Sequence, residues 1–240
     1  MSESAAAQSF DVLAFGAHPD DLEMGMGGTI ARLTASGRSV LMISLTRGEG
    51  GTYGSIEERA REAEEGARIL GATARLLDFP DTRLENTNEG RLTIARLVRA
   101  HRPSLVFAPY HTNAGTHHDG RANRDHMEAG MLVRDGLKLA RFRRLIPDAA
   151  PHDVRRIFYY MVPQGHAPTF VVDVTAEEDR LRRAILAHRT QMAIERRGNT
   201  IEEILMLYRR AAGLMIGKPL GETFLSDEPL DVGPDLLFLV

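Results

Sequence analysis

The chain has no cysteine among its 240 residues. That excludes disulfides, thiolate metal ligands and a cysteine nucleophile, so any metal site must be built from histidine and carboxylate. Charge is close to balanced: 30 Lys and Arg against 33 Asp and Glu leave a formal net charge of −3. No global basic field therefore points to nucleic acid or to an anionic membrane. The local arginine groups (Arg141, Arg143 and Arg144; Arg182 and Arg183; Arg196 and Arg197) sit among apolar residues at helical spacing and read as solvated helix faces. No apolar run is long enough to span a bilayer. The opening MSESAAAQSF has neither the basic nor the apolar part of a signal peptide, so the expected location is the cytoplasm. Repeats, low-complexity tracts and linker-like stretches are also missing, and the expectation is a single domain over residues 1–240.

What is present is an alternation of short apolar runs and helical spacing. Asp11–Ala17, Ser39–Leu45, Ala74–Phe79 and Ser104–Tyr110 read as buried strands. Helical spacing falls between them over Gly28–Gly37, Ser55–Leu70 and Glu89–His101. Ser55 and Glu58 have the spacing of a capping box, and Gly71 supplies a stop. Apolar strands separated by helices predict an α/β fold whose mostly parallel sheet has helices on both faces. Further on, Asp125–Phe142 resumes helical spacing, and Arg156–Val162 and Thr169–Val174 read as strands. Thr175 with Glu178 has a second capping-box spacing and predicts a long helix. Asn199–Met215 reads as another helix, and Glu222–Val240 as a tail that packs back on the body.

Three polar segments lie at the carboxyl ends of these strands, where open parallel sheets bind ligands. The first is Ala17-His18-Pro19-Asp20-Asp21. If a helix starts after Pro19, His18 and Asp21 turn toward one point, and imidazole with carboxylate suits Zn²⁺. A catalytic zinc takes three protein ligands, so one more is expected downstream. Asp20 is then a carboxylate beside the metal, placed to act as general base. The plain alternative is a helix N-terminus, where the dipole favours Asp. The glycines that follow do not form G-x-G-x-x-G, which disfavours a dinucleotide-binding oxidoreductase.

The second segment runs from Tyr110 to His126 and holds four of the nine histidines. His126 opens a helix and is the better ligand candidate. His117 and His118 lie on loop backbone and suit a movable acid or an oxyanion donor. The third, Thr46 to Gly54, holds four glycines. Its Arg47, Glu49 and Tyr53 could bind a polar substrate, or form a solvated loop with a salt bridge. His166, between two strands, could reach the site.

Ala17–Ile30 (AHPDDLEMGMGGTI) resembles the opening motif of the PIG-L/LmbE-like deacetylases. Leu45–Gly54, Arg59 to Glu62, Ile69–Gly71, Asp81 and Leu105–Tyr110 continue the pattern. Phe158–Thr175 and Gly221–Leu230 resemble the bacillithiol-pathway branch. The resemblance implies a Rossmann-like fold and a zinc-dependent N-deacetylase acting on a small N-acetylglucosamine conjugate, with N-acetylglucosaminyl malate as the branch substrate. The same ligand set accepts Fe²⁺. It also implies a homo-oligomer, with His18, Asp21 and His126 as metal ligands, Asp20 as base, Asp125 as supporting carboxylate, and Glu49, Arg59 and Asp81 as sugar contacts. Tyr53 stands where that branch often has Arg. The family's second motif, His-Pro-Asp-His, aligns with Asn123-Arg124-Asp125-His126. Asn123 can donate a hydrogen bond to an oxyanion but cannot deliver a proton, so His118, paired with Asp119, is expected to replace the missing His. The Asn123 departure favours one alternative, a non-catalytic sugar- or metal-binding homologue, which the retained Asp20 disfavours. A second alternative is an amidase acting on a non-sugar amide.

Overall fold

In the computed structural model, residues 8–112, 123–163, 165–196 and 198–231 are described. The elements β1 (Val12–Gly16), α1 (Asp21–Ala35), β2 (Val40–Thr46), α2 (Ile56–Leu70), β3 (Thr73–Phe79), α3 (Asn88–His101), β4 (Leu105–Pro109), α4 (Arg124–Ala140) and β5 (Arg156–Tyr160) follow one another. Their strands form one parallel sheet of order β3-β2-β1-β4-β5. β1 and β2 are buried along their whole length, so they read as unbroken apolar runs. Successive side chains point to opposite faces. Leu13 and Phe15 pack with Ile94, Val98, Leu132 and Val133 beneath α3 and α4. Val12 and Ala14 pack with Leu22, Met26 and Ile30 of α1. α2 matches its sequence signals: Ser55 and Glu58 form the reciprocal capping box, and Gly71 closes the helix at a φ of 73°.

The strand order reverses between β1 and β4. β2 and β3 lie on one side of β1, and α3 carries the chain back to β4 on the other. The crevice at the carboxyl ends of β1 and β4 is therefore the switch point where ligands bind in such sheets. α4 lies close on the end of β4. A Cβ on Gly130 would stand 2.3 Å from the Pro109 carbonyl oxygen, so the missing side chain permits this approach. His126, one turn earlier on α4, is thereby held over the crevice.

α1 departs from expectation. The pattern predicts a helix from Gly28, yet the helix begins at Asp21 and breaks at Met26, whose φ is −150°. The backbone groups freed at the break find partners far along the chain, on α7 (Ile201–Leu214) and β9 (Gly221–Phe224). Arg209 donates to the carbonyls of Glu23 at 3.3 Å and Met24 at 2.8 Å. Glu222 accepts from the N–H groups of Gly28 at 3.0 Å and Thr29 at 2.7 Å. Arg209 and Glu222 also bond each other at 2.9 Å. This buried ion pair splints the helix, and Gly25-Met26-Gly27-Gly28 marks the break in the sequence.

The remaining elements are β6 (Phe170–Asp173), α5 (Glu178–Ala187), α6 (Arg189–Met192), β7 (Glu195–Arg196) and β8 (Asn199–Thr200). β6 pairs antiparallel with β9, outside the main sheet, and β7 pairs with β8. Leu225 adds a single bridge to Tyr159 at the edge of β5. The second capping box does not form. Thr175–Glu177 make a 3-10 turn, and α5 starts without a side-chain cap. The Thr175 hydroxyl instead accepts from the Leu220 N–H at 3.3 Å, so a tertiary contact outcompetes the local one. α5 is also short, ending where His188 turns inward. A capping box does open α7, at Thr200 and Glu203. The expected tail begins inside β9 (Gly221–Phe224), which packs back on β6, while residues 232–240 lie outside the described ones. Among the described residues no helix is long and apolar enough to cross a membrane.

Candidate metal centre

Asp21, the first residue of α1, folds one oxygen back onto the chain. Its Oδ2 accepts from the N–H groups of Ala17 at 2.7 Å and His18 at 2.9 Å. This turn fixes Asp21 against the end of β1 and leaves Oδ1 to face outward. His126 Nε2 stands 3.0 Å from that oxygen, and His18 Nδ1 stands 3.6 Å from Oδ2. Ligand atoms of His18, Asp21 and His126 all lie within 4.8 Å of one another. Two imidazole nitrogens and a carboxylate oxygen suit Zn²⁺ or Fe²⁺. Bond lengths of about 2.0–2.2 Å to a tetrahedral metal put ligand atoms roughly 3.3–3.6 Å apart, and the side chains need only small shifts to reach that.

His18, Asp81 and Asp125 form a second group of possible ligands. His18 Nε2 lies 3.1 Å from Asp81 Oδ1 and 3.5 Å from Asp125 Oδ2. Here every carboxylate oxygen already accepts from backbone. Asp81 takes the N–H groups of Thr82 at 2.7 Å and Gly50 at 2.8 Å. Asp125 takes those of Thr82 at 2.7 Å and Leu84 at 3.3 Å. The first group keeps a carboxylate oxygen with no backbone donor and the second does not, so the first is the better candidate for a metal centre.

The charges agree with this geometry. Burial, the largest influence on His18, lowers its pKa, but the charge and hydrogen bond of Asp21, the bond to Asp81 and the charge of Asp20 outweigh it. Together they raise His18 to about 11. Burial likewise pushes Asp21 up, and the charges of His126 and His18 overcome it and hold the carboxyl well below its ordinary value. Asp81 is held down at about 2, first by its bond to His18. Such a concentration of anionic oxygens favours a cation.

Asp20 stands next to Asp21 at the helix N-cap. Arg59, 4% exposed, donates from Nη2 to Asp20 Oδ1 at 3.3 Å and from Nη1 to the Gly48 carbonyl at 2.9 Å. The guanidinium therefore holds both the expected base and the glycine-rich loop. Within that loop, Glu49 Oε1 accepts from the Asp81 N–H at 2.8 Å. The Tyr53 side chain is exposed, and its carbonyl accepts from Gln191 Nε2 at 3.2 Å. Arg47 forms an exposed ion pair with Asp78, as the plain reading of a solvated loop expects.

Asn123 is the N-cap of α4, and its Oδ1 accepts from the Asp125 N–H at 3.0 Å. His166 is exposed, with its ring 6.1 Å from that of Tyr110. His117, His118 and Asp119 lie outside the described residues. The sequence reading missed Gln191, which steadies the loop at Tyr53, and the fully buried pair of Glu23 and His188, 3.2 Å apart. Gly66 makes room for that pair: a Cβ there would meet Glu23 Oε1 at 2.4 Å. No local pattern links residues so far apart in the chain.

Residues 13–135 match the family model described as PIG-L, GlcNAc-PI de-N-acetylase. The diacetylchitobiose deacetylase of Thermococcus kodakarensis is 32% identical over 226 residues, covering 89% of this chain and 80% of the relative. Among solved structures, a conserved protein of Thermus thermophilus is 37% identical with a TM-score of 0.82, covering 94% of this chain and 98% of the other. The N,N'-diacetylchitobiose deacetylase of Pyrococcus horikoshii, complexed with an inhibitor, is 28% identical with a TM-score of 0.78, covering 89% and 82%.

Proposed function

This chain belongs to the PIG-L family of GlcNAc-PI de-N-acetylases, and from that premise we propose that it is a metal-dependent hydrolase removing the acetyl group from a small N-acetylglucosamine conjugate. The observation that carries this reading is the convergence of His18, Asp21 and His126 beside Asp20 at the switch point. An ion held there would polarise the amide carbonyl and acidify a water molecule. Zn²⁺ is the proposed ion, and Fe²⁺ suits the same donors.

Asp20 takes the proton of the attacking water while Arg59 holds its Oδ1. As the carbon–nitrogen bond breaks, that proton passes to the departing amine, leaving acetate and a free glucosamine amine. General acid–base help of this kind contributes roughly two to four powers of ten in rate. His118 is proposed as the second donor to the oxyanion, with Asn123 Nδ2 as the alternative. Asn123 Oδ1 is committed to the helix cap. Arg59 and Asp81 point their bonds inward, so sugar contacts fall mainly to Glu49, Tyr53 and His166 at the rim. The proposed aglycones are a second sugar, malate or inositol.

We also propose that copies of the chain associate through α7. Leu207, Tyr208, Leu214 and Met215 recur at helical spacing on one side of this helix and its end, and each is more than half exposed. Exposed apolar patches of this kind mark association surfaces.

The deciding experiment is acetate release from N,N'-diacetylchitobiose and from malate and inositol conjugates of N-acetylglucosamine. Zinc-loaded protein should release acetate from at least one, and Asp20→Asn should lower the rate by about a hundredfold or more with zinc still bound. No release from any conjugate by zinc-loaded protein would overturn the sugar deacetylase.

A further inference from the structure

We propose that Asp81 is a positioning residue for His18, holding the imidazole so that Nδ1 faces the metal centre. The inference rests on the metal-binding role of His18 and gives Asp81 a task other than sugar contact. An imidazole that donates a proton from one ring nitrogen must offer a lone pair from the other, and a carboxylate behind a metal-bound histidine sets this choice. Asp81 Oδ1 lies 3.1 Å from His18 Nε2, whereas the other ring nitrogen, Nδ1, is the one 3.6 Å from Asp21 Oδ2.

Asp81 is itself held on every side. Its oxygens accept from the N–H groups of Thr82 and Gly50, its own N–H donates to Glu49, and it is 7% exposed. A side chain fixed in this way imposes its orientation on its partner. Asp125 adds a second acceptor, 3.5 Å from the same nitrogen, and directly precedes the ligand His126. One turn of α4 thus carries both a carboxylate beside His18 Nε2 and the proposed ligand His126.

The arrangement also ties the glycine-rich rim to the metal. Glu49 and Gly50 both bond Asp81, so rim and ligand share an anchor. A Cβ on Gly50 would meet the Thr82 methyl at 2.7 Å and Asp81 Oδ2 at 3.2 Å, which keeps the loop close only with glycine there.

The test is zinc affinity, measured by competition with a chromogenic chelator, for the parent, Asp81→Asn and Asp81→Ala. Losing a residue that orients a ligand costs about 10–100-fold in metal affinity. Asp81→Asn keeps an acceptor oxygen and should lie near the lower end of that range, and Asp81→Ala near the upper end. Long-range proton–nitrogen spectra of the zinc-loaded proteins should show the His18 Nε2–H in the parent and its loss or broadening in Asp81→Ala. Affinities within about twofold of the parent, with only the KM for a sugar conjugate raised, would make Asp81 a sugar contact and overturn the proposal. If Asp81→Ala does not fold, the near-isosteric Asp81→Asn decides by the same criterion. Because zinc binding is read directly, the test stands even if no conjugate is deacetylated.

Discussion

Two clusters of buried charge meet α1, one at its first turn and one at its break. At the break, Arg209 and Glu222 are 4% and 3% exposed, and each of the three guanidinium nitrogens and both carboxylate oxygens has a partner. At the first turn, Asp21 is buried to a similar degree, yet its Oδ1 and the facing nitrogens of His18 and His126 converge on one point. Buried charge alone does not mark a site. Donor atoms left over after the backbone is satisfied do, because they are what can coordinate an ion.

Substitutions should separate the two clusters. His126→Gln removes a converging ligand. Zinc affinity should fall by more than the roughly 100-fold seen for residues that only orient ligands, and turnover should vanish with it. Affinity within about tenfold of the parent would mean that the ion is held by other groups.

Glu222→Ala should do the opposite. It leaves Arg209 buried without its partner and should cost about 3–5 kcal/mol of stability in urea unfolding, while the folded protein keeps its zinc affinity. A large loss of zinc affinity at full stability would show that the splint and the site are one unit.

A proton and a metal ion compete for His18. Without metal its pKa is raised from 6.5 to about 11, so it is charged at neutral pH and must lose a proton to bind. Zinc affinity should therefore rise about tenfold per pH unit from neutral pH until it levels off near pH 11. In excess chelator the sign reverses. The stabilisation from charged His18 is fully present below about 6.5 and fades as pH rises through about 11. Zinc titrations at a series of pH values check this, and a flat profile would rule out His18 as a ligand.

The smallest effect on the fold is expected at the surface. Leu214→Lys should change unfolding free energy by no more than about 0.5 kcal/mol while weakening association, as read by light scattering. Unchanged mass in solution would remove α7 as the contact.

Much of this was legible in the residues in order. Buried parallel strands are continuous apolar runs, so β1, β2 and β4 stood out, and α2 carried its own start and stop signals. His18, Asp20 and Asp21 form a contiguous run at a strand end, and His126 stands at a helix start, so local pattern and resemblance to the family both pointed to them. Other features had no such mark. The start of α1 was misplaced because its broken ladder is completed by Glu222, 194 residues beyond Gly28. The capping box at Thr175 failed because Leu220 took the hydroxyl. The bond of Asp81 to His18, 63 residues away, could not be read from spacing. Periodicity and caps record what each residue needs from its neighbours in the chain. Which carboxylates stand behind an imidazole, and which oxygens remain for a metal, depends on how distant segments meet at the end of the sheet, because a backbone donor satisfied in one place leaves an acceptor free in another.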